Sequence, residues 1–269
     1  MSILIKVLVF FFAIIFIGLV ALFFNQAKLV FYPVHVDSKY VFNFKLSFEE
    51  KYISYGSGKI IHGLLFKPEN PIGRILYFHG NAGALDSWGY AAEEIAIRLN
   101  CQILIIDYPG FGKSTGGLAS SEVALFDSAE AAFKVFEEST NSKLPLIVYG
   151  RSLGSGIASH LAAKNKIQAL ILETPYISIK AMAKVIFPLL PSFFVRYNLN
   201  NQENINKLSI PILILHGTAD ALIPFLQSAI LSKENANIRL VAIAEGTHNN
   251  LSNFQIYWDS IQNFIQQLR

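Results

Sequence analysis

Ser152 lies in Gly150-Arg151-Ser152-Leu153-Gly154, a G-x-S-x-G pentapeptide between an apolar run at 144–149 and a small-residue run at 155–160. The first run reads as a buried strand and the second as the start of a helix. The serine then falls on a sharp strand-to-helix turn. Such a turn strains its central residue, and a side chain at Gly150 or Gly154 would collide with the adjacent backbone. It lifts the hydroxyl above the sheet edge and aims the positive end of the following helix at it. These are the conditions a nucleophile needs. A plain loop is the competing reading, because the pentapeptide also arises by chance. The flanking strand and helix patterns weigh against it.

A nucleophilic serine needs a base, and the base needs an orienting acid. Where this turn occurs, the chain order is nucleophile, acid, histidine. Three histidines follow Ser152. His160 sits inside the helix that leaves the turn and cannot fold back onto it. His216 ends the apolar run 212–215, before Gly217, and reads as a strand-end residue. His248 lies in the polar loop 245–250, after the apolar run 240–244. Loops at the carboxyl ends of sheet strands are where such sites are built. His248 is therefore the expected base, and Asp220, just past the strand at 211–215, the leading acid. Glu173, at the end of the run 170–173, competes with it. Glu173 could instead pair with Arg151 and support the turn.

Charge developing on an attacked carbonyl needs two backbone N–H donors. Leu153, the residue after the serine, offers one. The other is expected from Phe78-His-Gly-Asn-Ala-Gly83, where the glycines let the backbone of Asn81 approach a ligand. A simple glycine-rich turn is the alternative. His79 is expected to order this loop rather than act as a base.

Taken together, His79-Gly-Asn-Ala-Gly83, Asp107-Tyr-Pro-Gly-Phe-Gly-Lys-Ser114, the Ser152 pentapeptide, Asp220 and His248 resemble the alpha/beta-hydrolase superfamily. The likeness runs from about Phe31 to the end. It is to small membrane-anchored bacterial serine hydrolases related to eukaryotic enzymes that remove palmitoyl groups from proteins. The resemblance implies Ser152 as nucleophile, Asp220 as acid, His248 as base, and Asn81 with Leu153 as the oxyanion hole. It implies no cofactor. The 107–114 segment corresponds to a family loop that helps shape the site. Pro109 stands where relatives often carry arginine, so this loop is assigned no substrate contact.

The elements that must position these residues alternate along the chain. Segments 46–55 and 59–66 read as a hairpin across Gly56-Ser57-Gly58. Strands follow at 74–78, 101–107, 144–149, 168–173, 211–215 and 238–244. Helical patterns occupy 88–99, 121–138, 155–164, 223–232 and 256–268. The strands are short apolar runs without clean alternation, as expected when helices cover both faces. The pattern predicts an α/β fold with a doubly wound, mostly parallel sheet. Segment 174–208 is too long for an ordinary connection and contains Pro188 and Pro191, which break any long helix. It sits where the superfamily inserts a cap. Its apolar residues 186–195 could line an acyl pocket, face a bilayer, or pack on the core.

The N-terminus carries a different signal. Residues 7–24 contain no polar side chain. As a helix they span about 27 Å, near the thickness of a bilayer core. The run ends Phe23-Phe24-Asn25-Gln26, a poor site for signal-peptide cleavage, so a retained transmembrane helix is expected. Phe31 and Tyr32 are then expected at the membrane interface. Residues 1–30 are read as an anchor and 31–269 as the catalytic domain. Flanking charge is balanced between Lys6 on one side and Lys28 and Lys39 on the other. The resemblance alone suggests a bacterial inner-membrane protein with its domain outside the cytoplasm.

Over all 269 residues the formal net charge is +3, with no basic cluster interleaved with exposed aromatics and so no nucleic-acid footprint. No Cys/His set has zinc spacing, and no phosphate-binding lysine loop occurs. Cys101, the single cysteine, cannot form an intrachain disulfide and reads as a buried small hydrophobe. The reading is a membrane-anchored serine hydrolase acting on esters or thioesters of acyl or lipid-like substrates. A serine peptidase of the aminopeptidase-like type and a non-catalytic membrane scaffold are the alternatives. No amine-binding carboxylate pair favours the first, and a scaffold has no use for an ordered serine, acid and histidine.

Overall fold

The computed structural model describes residues 2–56, 58–117 and 121–268. The chain begins with α1 (Ile3–Val30), a helix long and apolar enough to cross a membrane, with a mean hydropathy of 3.2 in its most apolar stretch. Two residues of β1 (Tyr32–Pro33) follow, then the hairpin β2 (Phe48–Tyr55) and β3 (Lys59–Phe66). Its turn includes Ser57, which lies outside the described residues. Next come β4 (Gly73–Phe78), the two-residue β5 (Ala82–Gly83), α2 (Leu85–Leu99), β6 (Cys101–Ile106) and α3 (Glu122–Ser139). Then follow β7 (Leu146–Arg151), α4 (Leu153–Lys164), β8 (Ala169–Glu173), α5 (Ile179–Ile186) and α6 (Asn201–Ile205). The chain closes with β9 (Ile212–Gly217), α7 (Leu226–Glu234), β10 (Ile238–Ile243) and α8 (Gln255–Gln266).

Eight strands form one sheet in the order β10-β9-β8-β7-β4-β6-β3-β2. From β6 through β10 every neighbour is parallel, whereas β3 runs antiparallel to both β6 and β2. The expected doubly wound, mostly parallel sheet is what forms. Alternate side chains of its strands feed two cores. Leu76, Leu104, Val148 and Leu170 pack on one face, and Ile75, Ile103, Ile147 and Ile171 on the other. Cys101 is fully buried at the start of β6, and burial pushes its thiol up to about 12. β4 is the switch point, with β6 on one side and β7 on the other. A crevice opens outside the carboxyl ends of strands at such a point.

Proline shifts some element boundaries. β7 starts at Leu146 rather than Leu144, because Pro145 cannot donate to the ladder; its carbonyl instead accepts the Arg74 N–H at 2.9 Å. α7 starts at Leu226 rather than Ile223, after Pro224. α5 stops at Ile186, ahead of Pro188 and Pro191, as those prolines require.

One expectation fails at the end of α1. Phe31 is not at an interface but 1% exposed, wedged edge-on against Phe111 and Tyr197. Tyr32, half exposed, begins β1, which pairs in parallel with β5. The helix thus runs directly into the domain core. A two-residue strand offers too little pattern for sequence to reveal such a pairing.

Methyl groups at the two elbow glycines would meet immovable backbone. A Cβ on Gly150 would sit 2.5 Å from the Gly154 carbonyl oxygen, and one on Gly154 2.1 Å from that of Phe78. Gly154→Ala is expected to destabilise the fold by about 3 kcal/mol, the upper end for overpacking, read as a lower Tm. An unchanged Tm would show that this packing can relax.

Candidate active site

Ser152 sits between the last residue of β7 and the first of α4, with φ 52° and ψ −118°. A non-glycine residue in this region is strained and must be held there by its surroundings. Its N–H donates to the Glu173 carbonyl at 2.8 Å, and its carbonyl accepts from Ser155 N–H at 2.9 Å. The hydroxyl thereby stands at the N-terminus of α4, where the helix dipole favours negative charge.

The loops after β9 and β10 bring the other two groups in. They touch backbone to backbone: a Cβ on Gly217 would lie 2.1 Å from the Gly246 carbonyl oxygen, and Ala219 N–H donates to that oxygen at 2.9 Å. This interlock sets Asp220 under His248. His248 Nδ1 lies 2.7 Å from Asp220 Oδ2, and His248 Nε2 lies 3.0 Å from Ser152 Oγ. Nδ1 must donate to the carboxylate, which leaves the Nε2 lone pair facing the serine. The order serine–histidine–aspartate is therefore a continuous hydrogen-bonded line.

Asp220 is buried, yet its carboxyl is held well below the usual carboxylate range. Burial alone would raise it; hydrogen bonds from His216, His248 and the Ile223 N–H outweigh that effect. Its Oδ1 accepts from the Leu222 and Ile223 amides at 2.9 and 2.8 Å, and its Oδ2 also faces His216 Nε2 at 3.3 Å. His216 Nε2 lies 2.9 Å from the Ile223 carbonyl, so it carries a proton, and its Nδ1 meets Ser228 Oγ at 2.6 Å. His216 thus packs behind the Asp220 carboxylate, a contact that sequence reasoning missed. The signal was its place four residues before Asp220 at the same strand end.

Glu173 has other partners. Its carboxylate pairs with Arg151 Nε at 3.2 Å and accepts the hydroxyls of Tyr149 at 2.7 Å and Tyr257 at 3.1 Å. Arg151 then reaches across to the histidine loop, donating to the His248 carbonyl at 3.2 Å and to Asn249 Oδ1 at 3.1 Å. Burial works against the guanidinium charge, but Glu173 together with Tyr77, Tyr257 and Tyr149 outweighs it and raises the Arg151 pKa. This pair braces the turn and the histidine loop together. His160 is turned away, stacked on Phe126 at 3.5 Å.

The loop after β4 lies alongside. A Cβ on Gly80 would sit 3.9 Å from Ser152 Cβ. Asn81 and Leu153 both border the pocket that contains Ser152. Neither backbone N–H donates to a protein acceptor in the loops and caps described. The loop is held from behind: Tyr32 N–H donates to the Asn81 carbonyl at 2.8 Å, and Asn81 Nδ2 donates to the Val30 carbonyl at 3.2 Å. His79 Nδ1 donates to the Gly80 carbonyl at 2.7 Å, and its ring stacks on Trp88.

The pocket has a volume of about 970 Å³, near the top of the range for ligand sites. Its walls come from the segment between β8 and β9 and, unexpectedly, from α1. Among the described residues, no acidic side chain lines it. Among the described residues, no group of three or more His, Cys, Asp or Glu side chains could hold a metal ion.

The chain is similar to proteins of known family. A family model described as alpha/beta hydrolase fold matches residues 73–204. Protein bem46 of Schizosaccharomyces pombe is 34% identical over 215 residues, covering 76% of this chain and 71% of that protein. The alpha/beta hydrolase domain-containing protein WAV2 of Arabidopsis thaliana is 27% identical over 275 residues, covering 90% and 88%. An esterase structure from Pyrococcus furiosus superposes with a TM-score of 0.69 at 16% identity, covering 89% of this chain and 98% of that one, a likeness of fold.

The two acids are separable by mutation. Asp220→Asn is expected to lower turnover on the order of 10⁴-fold by releasing the histidine tautomer. Glu173→Gln is expected mainly to lower Tm. Hydrolysis of a p-nitrophenyl ester and thermal unfolding, measured on both variants, check the assignment. An active Asp220→Asn enzyme beside an inactive Glu173→Gln enzyme would reverse it.

Proposed function

The chain belongs to the alpha/beta-hydrolase superfamily, and from that premise we propose that it is a membrane-anchored serine hydrolase cleaving carboxylic ester or thioester bonds of acyl or lipid-like substrates. The observation that carries this reading is the line Asp220–His248–Ser152, opening on an apolar pocket. In this reading residues 1–30 anchor a catalytic domain at 31–269, whose cap spans about 174–208.

The chemistry follows from the hydrogen bonds. As Ser152 Oγ attacks the substrate carbonyl carbon, its proton passes to His248 Nε2. Asp220 stabilises the imidazolium without taking a proton itself. The carbonyl oxygen becomes an oxyanion, met by the Leu153 and Asn81 amides and by the N-terminus of α4. The imidazolium returns the proton to the departing alcohol or thiol, leaving the acyl group on Ser152. Water then attacks the acyl-enzyme while His248 Nε2 takes its proton. Collapse of that second oxyanion frees the acid and reprotonates Ser152. No cofactor enters either half.

The pocket lining favours acyl substrates over peptides. A terminal amine would need a buried carboxylate, and the lining has none. The bond cleaved is therefore read as ester or thioester, with the acyl chain in the pocket.

A fluorophosphonate is expected to label Ser152 alone, by mass spectrometry of the digested protein. Ser152→Ala and His248→Ala are each expected to lower turnover on the order of 10⁴- to 10⁶-fold, because triad members act as a unit. Near-normal ester hydrolysis by Ser152→Ala would end this reading. Anchoring is checked separately. After a carbonate wash the intact protein is expected in the membrane fraction, with its first 24 residues present by mass. A soluble form beginning beyond Asn25 would contradict it.

A further inference from the structure

The face that α1 turns to the domain is not arbitrary. Leu19, Phe23, Gln26, Ala27 and Val30 are its partly covered residues beyond the midpoint, and their spacing of three to four places them on one stripe. Leu19, Leu22, Gln26 and Leu29 line the same pocket as Ser152. From Leu19 to Leu29 this wall is about 15 Å long. α5 contributes another part of the lining, through Ile179, Met182 and Ile186.

A specific clamp joins α1 to the segment that follows α5. The Gln26 amide donates to the Phe194 carbonyl and accepts the Arg196 N–H at 2.9 Å, pairing with the cap backbone as a strand would. Phe23 meets Phe194 edge-on just above, at 6.4 Å between ring centroids. Beyond the clamp the cap tip is apolar and uncovered, with Phe187 60%, Leu189 97% and Phe193 74% exposed. Such a patch on a soluble surface is costly and marks an interaction site. Here it stands against the half of a membrane-spanning candidate that is still apolar, since Leu19 and Leu22 belong to the uninterrupted run ending at Phe24. A lipid environment for α1 is therefore a lipid environment for the cap tip and the pocket mouth.

We propose that α1 is a wall of the acyl site as well as an anchor: the linear acyl chain of a bilayer-resident ester or thioester passes sideways between α1 and the cap, lies along Leu19, Leu22 and Leu29, and presents its carbonyl to Ser152. This rests on the serine hydrolase reading and extends it to the substrate's route and to the residues that select chain length. The chain need not cross water, so each methylene keeps its apolar surroundings from bilayer to pocket.

The test uses the full-length protein in phospholipid nanodiscs. kcat/KM is measured for p-nitrophenyl acetate, octanoate and palmitate, with an S-palmitoyl peptide and a palmitoyl lysophospholipid as arms that separate lipidated protein from lipid as the source of the chain. The unmodified protein is expected to favour longer chains by several-fold per two carbons until the pocket fills. Leu19→Trp and Leu22→Trp, which fill the wall, are expected to lower the palmitate-to-acetate ratio by about 10-fold or more. Ile17→Trp, two residues from Leu19 and so about 200° round the helix, is the matched control and is expected to leave the ratio unchanged. Fluorophosphonate labelling of Ser152 in each variant reports an intact site. As a direct readout, an alkyl fluorophosphonate with a terminal diazirine is expected to crosslink to α1 between Leu19 and Leu29. Equal ratios in all three tryptophan variants, or crosslinks confined to the core of the domain, would overturn the proposal while leaving hydrolysis intact. Absence of ester hydrolysis at every chain length in the unmodified protein would instead overturn the serine hydrolase reading.

Discussion

The backbone of Ser152, held at φ 52°, is the constraint on which the site depends. An L-residue does not rest in that conformation unless its neighbours leave it no alternative. Those neighbours are two glycines with no room for a methyl group, the Glu173 carbonyl that takes the Ser152 N–H, and a helix that starts one residue later. β8 therefore has to lie beside β7 in register, and β4 has to run close enough for Phe78 to touch Gly154. The parallel order of the sheet is what supplies both contacts. The strain puts the hydroxyl in the crevice beside β4 with its orientation already fixed before any ligand arrives.

The remaining groups are placed by pairs of loops rather than by single ones. Gly217 and Gly246 interlock the ends of β9 and β10, and Asp220 meets His248 because of it. Arg151 ties the turn of β7 to the histidine loop, with Glu173 neutralising its charge in a buried setting. Asp220 is held from three directions, by His248, by His216 and by the amides of Leu222 and Ile223. A carboxylate so surrounded is kept ionised and immobile, which are the two properties an orienting acid needs. The carboxylate and the proposed base are thus arranged by a shell of residues that never face the pocket.

Much of this was legible in the chain, and the exceptions share a physical cause. Short apolar runs announced the parallel strands, because burial on both faces demands them. The order Ser152, Asp220, His248 followed from loops at strand ends. The competition between Asp220 and Glu173 could be posed from sequence, whereas the contacts that set Asp220 against His248 and Glu173 against Arg151 required seeing where each carboxylate points. The role of α1 as a pocket wall was hidden because residues 7–24 are apolar all round, so no periodic pattern distinguishes a lipid-facing side from a protein-facing one. Gln26 pairs with backbone 168 residues away, a contact no local pattern encodes. Phe31 read as an interfacial aromatic because its position after an apolar helix is the same whether it meets headgroups or a core. His216 reads as a strand-end residue, which it is, although its i to i+4 relation to Asp220 is visible in the chain.

The junction at Val30–Tyr32 has a kinetic meaning. Most anchored domains hang from a linker, and its length sets how far from the bilayer they can search. Here helix, buried Phe31 and β1 follow one another without a spare residue, and β1 is bonded to the loop that carries Asn81. With α1 in a bilayer, as proposed above, such a domain would have no reach into the aqueous phase and would sample a shell of fixed depth. Its encounters with a bilayer-resident substrate of the kind proposed would then be two-dimensional, governed by lateral diffusion and by the mole fraction of substrate within the membrane. Diluting that substrate with inert lipid would then slow turnover at constant bulk concentration, the behaviour known as surface dilution.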